Sequence, residues 1–466
     1  MLTVFLFIPN YVYSSDLLRT RFIGELAERF RVIVFLPMPA GSYFQHPNIT
    51  YVHWRLQFPG FWTFWGKTIR VPLIRMFDHE PLIRRNYELS FGHWKRRLLR
   101  RLAFLFPPHF WNPDFISRLE QHFLPRSPAF ERAVATERPA LVITPTPGFT
   151  EMDAEAIVLA RRAGLPSAAI DFSWDNLTSN CKHLRKTDHL VCWTQRMREQ
   201  AIGLHGFRPE RSYVSGIMRF DHYFRRDHNA NLQIDANVAN AGRAAVRERS
   251  HEEFLISKGL DPRRKTILIT TVTRGNYRDE PAIVRALIRA RQERKFPGVP
   301  NIFIRLHPKE DSYRDFQEFT RVPGVHVERS GTEMTLDLGS RIEMDESDLV
   351  NLKDTLRHSD VVLNYASTIT LEACAFDKPV VNIGFPPYFM NAYSFTHYRP
   401  VVELGAVRIV KSLEELVAEI NAYLQNPGRD RENRKAAVRE FIGYTDAKSY
   451  QRVADHLERI IMQINK

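Results

Sequence analysis

Three short stretches of this 466-residue chain hold side chains suited to binding phosphate and polyhydroxylated ligands. In IFIRLHPKED a strand pattern ends at Arg305 and is followed by His307, Pro308 and Lys309. Cations at the carboxyl end of a parallel strand stand where open α/β sheets take their ligands. Arg grips phosphate oxygens as a fork and Lys as a point charge, and His307 adds a donor to the same group. The competing reading is a set of surface cations. In SDVVLNYASTITLEACAFDKPVV, strand 361–364 runs into Ser367 and Thr368 at the start of a helix. Unpaired N–H groups and the helix dipole favour an anion there. Glu372, one turn further on, suits the vicinal hydroxyls of a ribose; otherwise Ser367 caps the helix and Glu372 is solvated. In AAIDFSWDNLTSN, Asp171, Trp174, Asp175 and Asn176 follow a strand end. Carboxylates and an aromatic ring there suit sugar hydroxyls, unless Asp175 and Asn176 form a turn and Trp174 is core. Gly216, after a further strand, permits close backbone approach.

The elements that position these groups follow from periodicity. Short apolar runs alternate with longer helical patterns, as in parallel sheets covered by helices. Strands are predicted over 3–8, 32–36, 140–144, 167–171, 189–192 and 212–215. A helix is expected from Ser15 and Asp16 to Phe30, and another over 150–163 that stops at Gly164 before Pro166. Residues 222–264 are strongly charged and read as a connector with one helix. A second alternating set follows, with strands over 266–271, 301–305, 325–328, 361–364 and 380–383. Two such sets imply an N-terminal domain over 1–221 and a second over 265–445. Over 446–466 a last helix is expected, since Val453, Leu457, Ile460 and Ile461 have helical spacing.

With 44% hydrophobic and 26% charged residues the chain is globular rather than disordered. Its net charge of +13 favours an anionic partner. Residues 61–111 hold ten Lys and Arg against three acids, and four of the seven tryptophans. Basic residues interleaved with Trp, Phe and Leu suit an anionic membrane surface. A solvated helix face over core aromatics, or a groove for nucleic acid or another anionic polymer, are the other readings, and nucleic acid is the least favoured. No run reaches the roughly 18 apolar residues of a spanning helix, and MLTVFLFIPN, without a basic flank, reads as a first buried strand. Cys181, Cys192 and Cys374 form no CxxC pair, which favours a reducing, cytoplasmic setting, and the 61–111 segment adds peripheral attachment to the membrane. GxGxxG, GxxxxGK[ST], HExxH and GxSxG are absent, and the 17 histidines show no clustered ligand spacing, so neither a cofactor nor a metal is expected.

SWDNLTS, VCWTQRM, VSGIMRFD, RLHP and NYASTITLEACAFDKPVV, in that order over nearly half the chain, resemble bacterial surface-polysaccharide glycosyltransferases of the GT-B fold. The closing motif also resembles the polyol-phosphate transferases of teichoic acid synthesis, whose loop is a DYSS-type sequence where this chain has Asn364, Tyr365, Ala366 and Ser367. The resemblance implies an α/β protein of two Rossmann-like domains with parallel sheets facing across a cleft. The second domain would hold a nucleotide-sugar donor, and the last helix would pack back on the first. On this reading Arg305, His307, Lys309, Ser367 and Thr368 hold the diphosphate and Glu372 the ribose, without a metal. His307 also stands among the catalytic candidates. Asp171, Trp174 and Asn176 meet a glycan or lipid-linked acceptor, and Glu151, Asp153 and Asp175 are candidate bases. A CDP-glycerol-type polyol-phosphate transferase, a nucleotide-sugar epimerase and a non-catalytic binding protein are the alternatives.

Overall fold

The computed structural model describes residues 1–41, 43–62, 82, 98, 113–179, 186–225, 248–272, 279–308, 313–338 and 341–464. The chain divides into two compact units. Among the described residues the first comprises those up to Asp221 and from Tyr444 onward, and the second those from His222 to Gly443. Each is built on one all-parallel sheet.

Unit 1 has seven strands: β1 (Thr3–Phe7), β2 (Arg31–Leu36), β3 (Ile49–His53), β4 (Leu141–Thr144), β5 (Ser167–Ile170), β6 (His189–Cys192) and β7 (Ser212–Val214). Their order is β3-β2-β1-β4-β5-β6-β7. Strands covered by helices on both faces have no polar side to alternate with, which is why VFLF of β1 and VIVFL of β2 are continuous apolar runs. Phe5 pairs in register with Ile33 on one side and Val142 on the other. Phe35 meets Phe5 edge-on at 4.9 Å and stacks on Phe7 at 4.6 Å.

Unit 2 has six: β8 (Thr266–Thr270), β9 (Asn301–Arg305), β10 (Val325–Glu328), β13 (Val361–Asn364), β14 (Val380–Ile383) and β15 (Arg408–Val410), in the order β10-β9-β8-β13-β14-β15. The hairpin β11 (Thr332–Glu333) and β12 (Ile342–Glu343) lies outside this sheet.

The periodicity misses β3 and β15, and both are edge strands. An edge strand is short or half-exposed and lacks the buried apolar run that marks a central one. The single helix expected from Ser15 to Phe30 is two, Tyr11–Leu17 and Phe22–Arg29. The first starts early because the Asn10 side chain caps it, accepting from the Val12 N–H at 3.0 Å. The helix Glu151–Arg162 begins as expected, with Thr150 Oγ1 accepting from the Asp153 N–H at 3.0 Å.

The terminal helix Ser449–Ile464 belongs to unit 1 and buries Val453, Leu457, Ile460 and Ile461. Arg29 holds it through Asp455 at 2.6 Å and Glu458 at 3.1 Å. Gly216 has φ +90°, and a Cβ there would lie 2.5 Å from Ser449 Oγ. Gly216→Ala therefore meets backbone strain and a clash together. We expect a loss of roughly 2 kcal/mol, read as a lower urea midpoint, and an unchanged midpoint would show that the terminal helix yields freely.

Candidate functional sites

In an open α/β sheet ligands bind outside the carboxyl ends of the strands, where the strand order reverses. The reversal falls between β1 and β4 in unit 1 and between β8 and β13 in unit 2. The candidate residues fall at these two places.

In unit 2, β13 ends at Asn364, and the chain turns through Ala366, Ser367 and Thr368 into the helix Ile369–Ala375. Thr368 is the N-cap residue, yet its hydroxyl makes no capping bond. The Ser367 carbonyl accepts from the Thr370 N–H at 3.1 Å, and its hydroxyl has no partner among the described residues. Both hydroxyls are half-buried, so neither is committed to the capping role that the sequence also allowed. Glu372 is buried, and its Oε2 accepts from the Tyr223 hydroxyl at 2.7 Å. It is therefore not a solvated surface acid. Tyr223 packs edge-on against Phe376 with ring centroids 5.0 Å apart.

At the end of β9, Thr271 Oγ1, just past β8, accepts from the His307 N–H at 2.9 Å, and the His307 side chain is half-buried. Lys309 lies outside the described residues. Arg305 is the clear departure from expectation. Its side chain is only 3% exposed and pairs with Asp348 at 2.8 Å and with Glu328. Against the burial that would lower it, Asp348 and Glu328 drive the guanidinium further toward the charged form. Burial would raise Glu328, but His326, Arg305 and Lys258 hold it well below the usual carboxylate range. A guanidinium saturated by two carboxylates has no fork left for phosphate. The sequence hid this because Glu328 ends β10 and Asp348 lies 43 residues away on the helix Glu346–His358. A cavity of about 510 Å3 adjoins this ion pair, lined by Arg249, Thr332, Asp345, Ser347, Asp348 and Asn351.

In unit 1 the carboxyl ends of β1, β4 and β5 carry Tyr13 and Asp16, Asp153, and Asp171 with Asp175. Burial, then the carboxylates of Asp153, Asp171, Asp16 and Asp175, push the Tyr13 phenol well above its ordinary value. Tyr13 also packs edge-on against Phe172 at 4.5 Å. Asp171 Oδ1 accepts from Asn176 Nδ2 at 2.6 Å, while Oδ2 is buried with no partner among the described residues. Asp153 Oδ2 accepts from the Thr146 hydroxyl, and its Oδ1 is likewise unpartnered. Burial pushes both carboxyls up to about 7. Glu151, by contrast, is exposed at the helix start. Asp175 is half-buried and accepts from the Ser173 hydroxyl.

Trp174 is 6% exposed and Asn176 7%, so neither offers a ligand the open face that acceptor binding requires. Trp174 is core, and Asn176 is the hydrogen-bond partner that orients Asp171. Tyr13 was missed because nothing in IPNYVYSSD signals that four acids converge on it. Among the described residues no three His, Cys, Asp or Glu side chains are grouped to hold a metal ion. No described helix is long and apolar enough to cross a membrane. Cys192 and Cys374 are buried and free.

Most of the basic-aromatic stretch 61–111 lies outside the described residues. Of its tryptophans, Trp62 is buried, and its indole N–H donates to Glu155 Oε2 at 3.0 Å. The Gln57 and Phe58 N–H groups also donate to Glu155, at 2.9 and 3.1 Å. Trp62 therefore ties a turn to the core and is no surface anchor.

No protein-family model matches the chain, and no curated protein matches it by sequence. Solved structures do match its fold. MnaA of Staphylococcus aureus with UDP is 13% identical with a TM-score of 0.56, over 100% of this chain and 98% of that one. UDP-GlcNAc 2-epimerase of Neisseria meningitidis bound to UDP-GlcNAc is 12% identical with a TM-score of 0.53, over 98% and 100%. The wall teichoic acid polymerase TagF soaked with CDPG is 10% identical with a TM-score of 0.51, over 100% and 89%. At such identities the likeness speaks for the fold, and it runs through both units: this chain is an α/β protein of the GT-B type, with two parallel-sheet domains.

Proposed function

We propose that the protein is a nucleotide-sugar-dependent glycosyltransferase that acts on a cell-surface polysaccharide or lipid-linked acceptor. The observation that carries this reading is the β13 turn: two uncommitted hydroxyls at a helix start, followed by a buried carboxylate. The solved structures of like fold contain UDP, UDP-GlcNAc or CDPG, which supports a nucleotide donor at such a site. Ser367, Thr368, His307 and Lys309 take the diphosphate, and Glu372, oriented by Tyr223, takes the ribose hydroxyls. Arg305 is reassigned as a strut beneath this site. Preorganised donors aimed at the leaving diphosphate are worth a few kcal/mol each.

In unit 1 the base is Asp171, which has one oxygen held by Asn176, the other uncommitted, and a carboxyl that burial pushes up to about 7. The carboxylate is closed to solvent, so an acceptor reaches it by displacing the half-buried side chains of Phe172, Ser173 and Asp175 around the buried Trp174. Asp153, held by Thr146, helps keep the site acidic.

The test is a thermal-shift panel of UDP, CDP, GDP and dTDP and their sugar or glycerol conjugates. A nucleotide at about 100 times its Kd should stabilise the native state by about 2.7 kcal/mol. Glu372→Ala is expected to weaken that nucleotide about 10- to 100-fold, the worth of hydrogen bonds to a charged group. No shift with any nucleotide would refute the donor site. An epimerase is the second reading, favoured by the like fold of the Neisseria meningitidis UDP-GlcNAc 2-epimerase, whose TM-score is 0.53. Incubation of the donor without acceptor separates the two, because only an epimerase returns an altered sugar nucleotide. Turnover of CDP-glycerol but of no sugar nucleotide would instead point to polyol-phosphate transfer.

Attachment to an anionic membrane belongs to the same proposal. The helix Pro113–Phe123, next in sequence to the basic stretch, leaves Phe115 50% and Phe123 58% exposed. Cosedimentation with phosphatidylglycerol vesicles is expected at low salt and should weaken as ionic strength rises. Equal recovery with and without vesicles would sink the membrane reading.

A further inference from the structure

Behind the Ser367 turn four side chains close a hydrogen-bonded ring. Asn382 Nδ2 donates to Asn364 Oδ1. Asn364 Nδ2 donates to Thr370 Oγ1 at 3.1 Å. Thr370 Oγ1 and the Tyr398 hydroxyl are 2.7 Å apart, and Tyr398 donates to Asn382 Oδ1 at 2.7 Å. The direction of each bond follows from donor counting. Asn382 Oδ1 can only accept, so the single Tyr398 proton goes there, and Tyr398 accepts from Thr370. The Thr370 proton then goes to Tyr398 at 2.7 Å rather than across the longer 3.3 Å contact to Asn364 Oδ1, so Thr370 accepts from the Asn364 amide. All four bonds run round the ring in one sense, an arrangement in which each bond polarises the next. All four side chains are at most 1% exposed.

Packing alone does not call for this ring. Asn364 and Asn382 are register partners on β13 and β14, in a sheet whose other residues on these two strands are Val, Leu and Ile. Apolar residues of matching shape would serve stability about as well, whereas a polar ring is costly if any member goes unsatisfied. The location supplies the reason. Asn364 and Thr370 stand at the two ends of the turn that carries Ser367 and Thr368, six residues apart, and their bond staples it closed. Tyr398 and Asn382 fix that staple to the next strand and to the start of the helix Arg399–Glu403.

We infer that this ring is a positioning device for the Ser367 turn, so that four side chains that do not touch the nucleotide set how tightly its diphosphate is held. The inference rests on the donor site proposed above. Every member is neutral, so the turn keeps its shape without adding charge beneath a phosphate site.

Thr370 tests it most cleanly, because Val keeps its shape without the hydroxyl and Ser keeps the hydroxyl. The full-length chain is titrated by calorimetry with UDP, CDP, GDP and dTDP, well below its melting temperature. Thr370→Val and Tyr398→Phe are expected to weaken the nucleotide that binds the unaltered chain about tenfold, whereas Thr370→Ser stays within about twofold. Melting temperatures measured without nucleotide separate positioning from stability. A variant that melts lower but binds with unchanged Kd would overturn the inference and leave the donor site standing. Should Thr370→Val fail to fold, Tyr398→Phe carries the same comparison. If no nucleotide binds the unaltered chain, the donor site fails and the inference with it.

Discussion

Asp171→Asn is expected to lower transfer by about 10²–10⁴-fold, the usual worth of a general base. At pH 8 the same variant should melt no lower than the unaltered chain. The two outcomes come from one property, burial, which pushes the Asp171 carboxyl up to about 7. Its ordinary value is 3.8, so between about pH 4 and pH 7 the folded protein holds a proton that the unfolded chain has released. Stability from this group is therefore full below about pH 4 and is lost as pH rises toward 7, at up to about 1.4 kcal/mol per unit. Asn carries no charge at any pH, and its carbonyl can still accept from Asn176. The variant thus escapes the penalty that the ionised carboxylate meets above pH 7. Activity runs the opposite way, because a base works only when deprotonated: kcat/KM should rise with pH to a plateau above about 7. Asp153→Asn should share the gain in stability at pH 8, since burial pushes that carboxyl up to about 7 as well. Its expected loss of rate is less than about tenfold, because on this proposal the acceptor's proton goes to Asp171 and not to Asp153. Full activity in Asp171→Asn, or a plateau that begins below pH 5, would remove Asp171 from the mechanism.

Arg305→Ala is expected to cost roughly 3–5 kcal/mol of stability, the penalty for removing one partner from a buried ion pair. Asp348 loses a bidentate contact at 2.8 and 2.9 Å, and Glu328 keeps Lys258 and Asn351 but loses its most buried cation. Both carboxylates would then sit close together with too little positive charge between them. The readout is the urea midpoint of the full chain, alongside nucleotide binding in the fraction that stays folded. Arg305→Lys keeps a charge but not the fork and should fall between the two. If Arg305→Ala unfolds at the normal midpoint but no longer binds nucleotide, Arg305 is a phosphate ligand after all and its role as a strut is wrong.

The central strands of both sheets are legible in the sequence, because VFLF, VIVFL, ILI and VVL are apolar runs buried on both faces. The sequence also placed the Ser367 turn and Glu372, since a polar run between a buried strand and a helix start is a local pattern. What it could not show was which charges are already spent. Arg305 reads as a free cation beside His307 until β10 and a helix 43 residues on bring Glu328 and Asp348 to it. Trp174 reads as a sugar platform until the fold closes over it, and Asn382 and Tyr398 carry no signal at all until the turn they brace is in place. Apolar burial is written residue by residue along the chain, so periodicity reveals it. The pairing of polar groups depends on partners distant in sequence, so which of them remain open to a ligand is known only once the chain has folded.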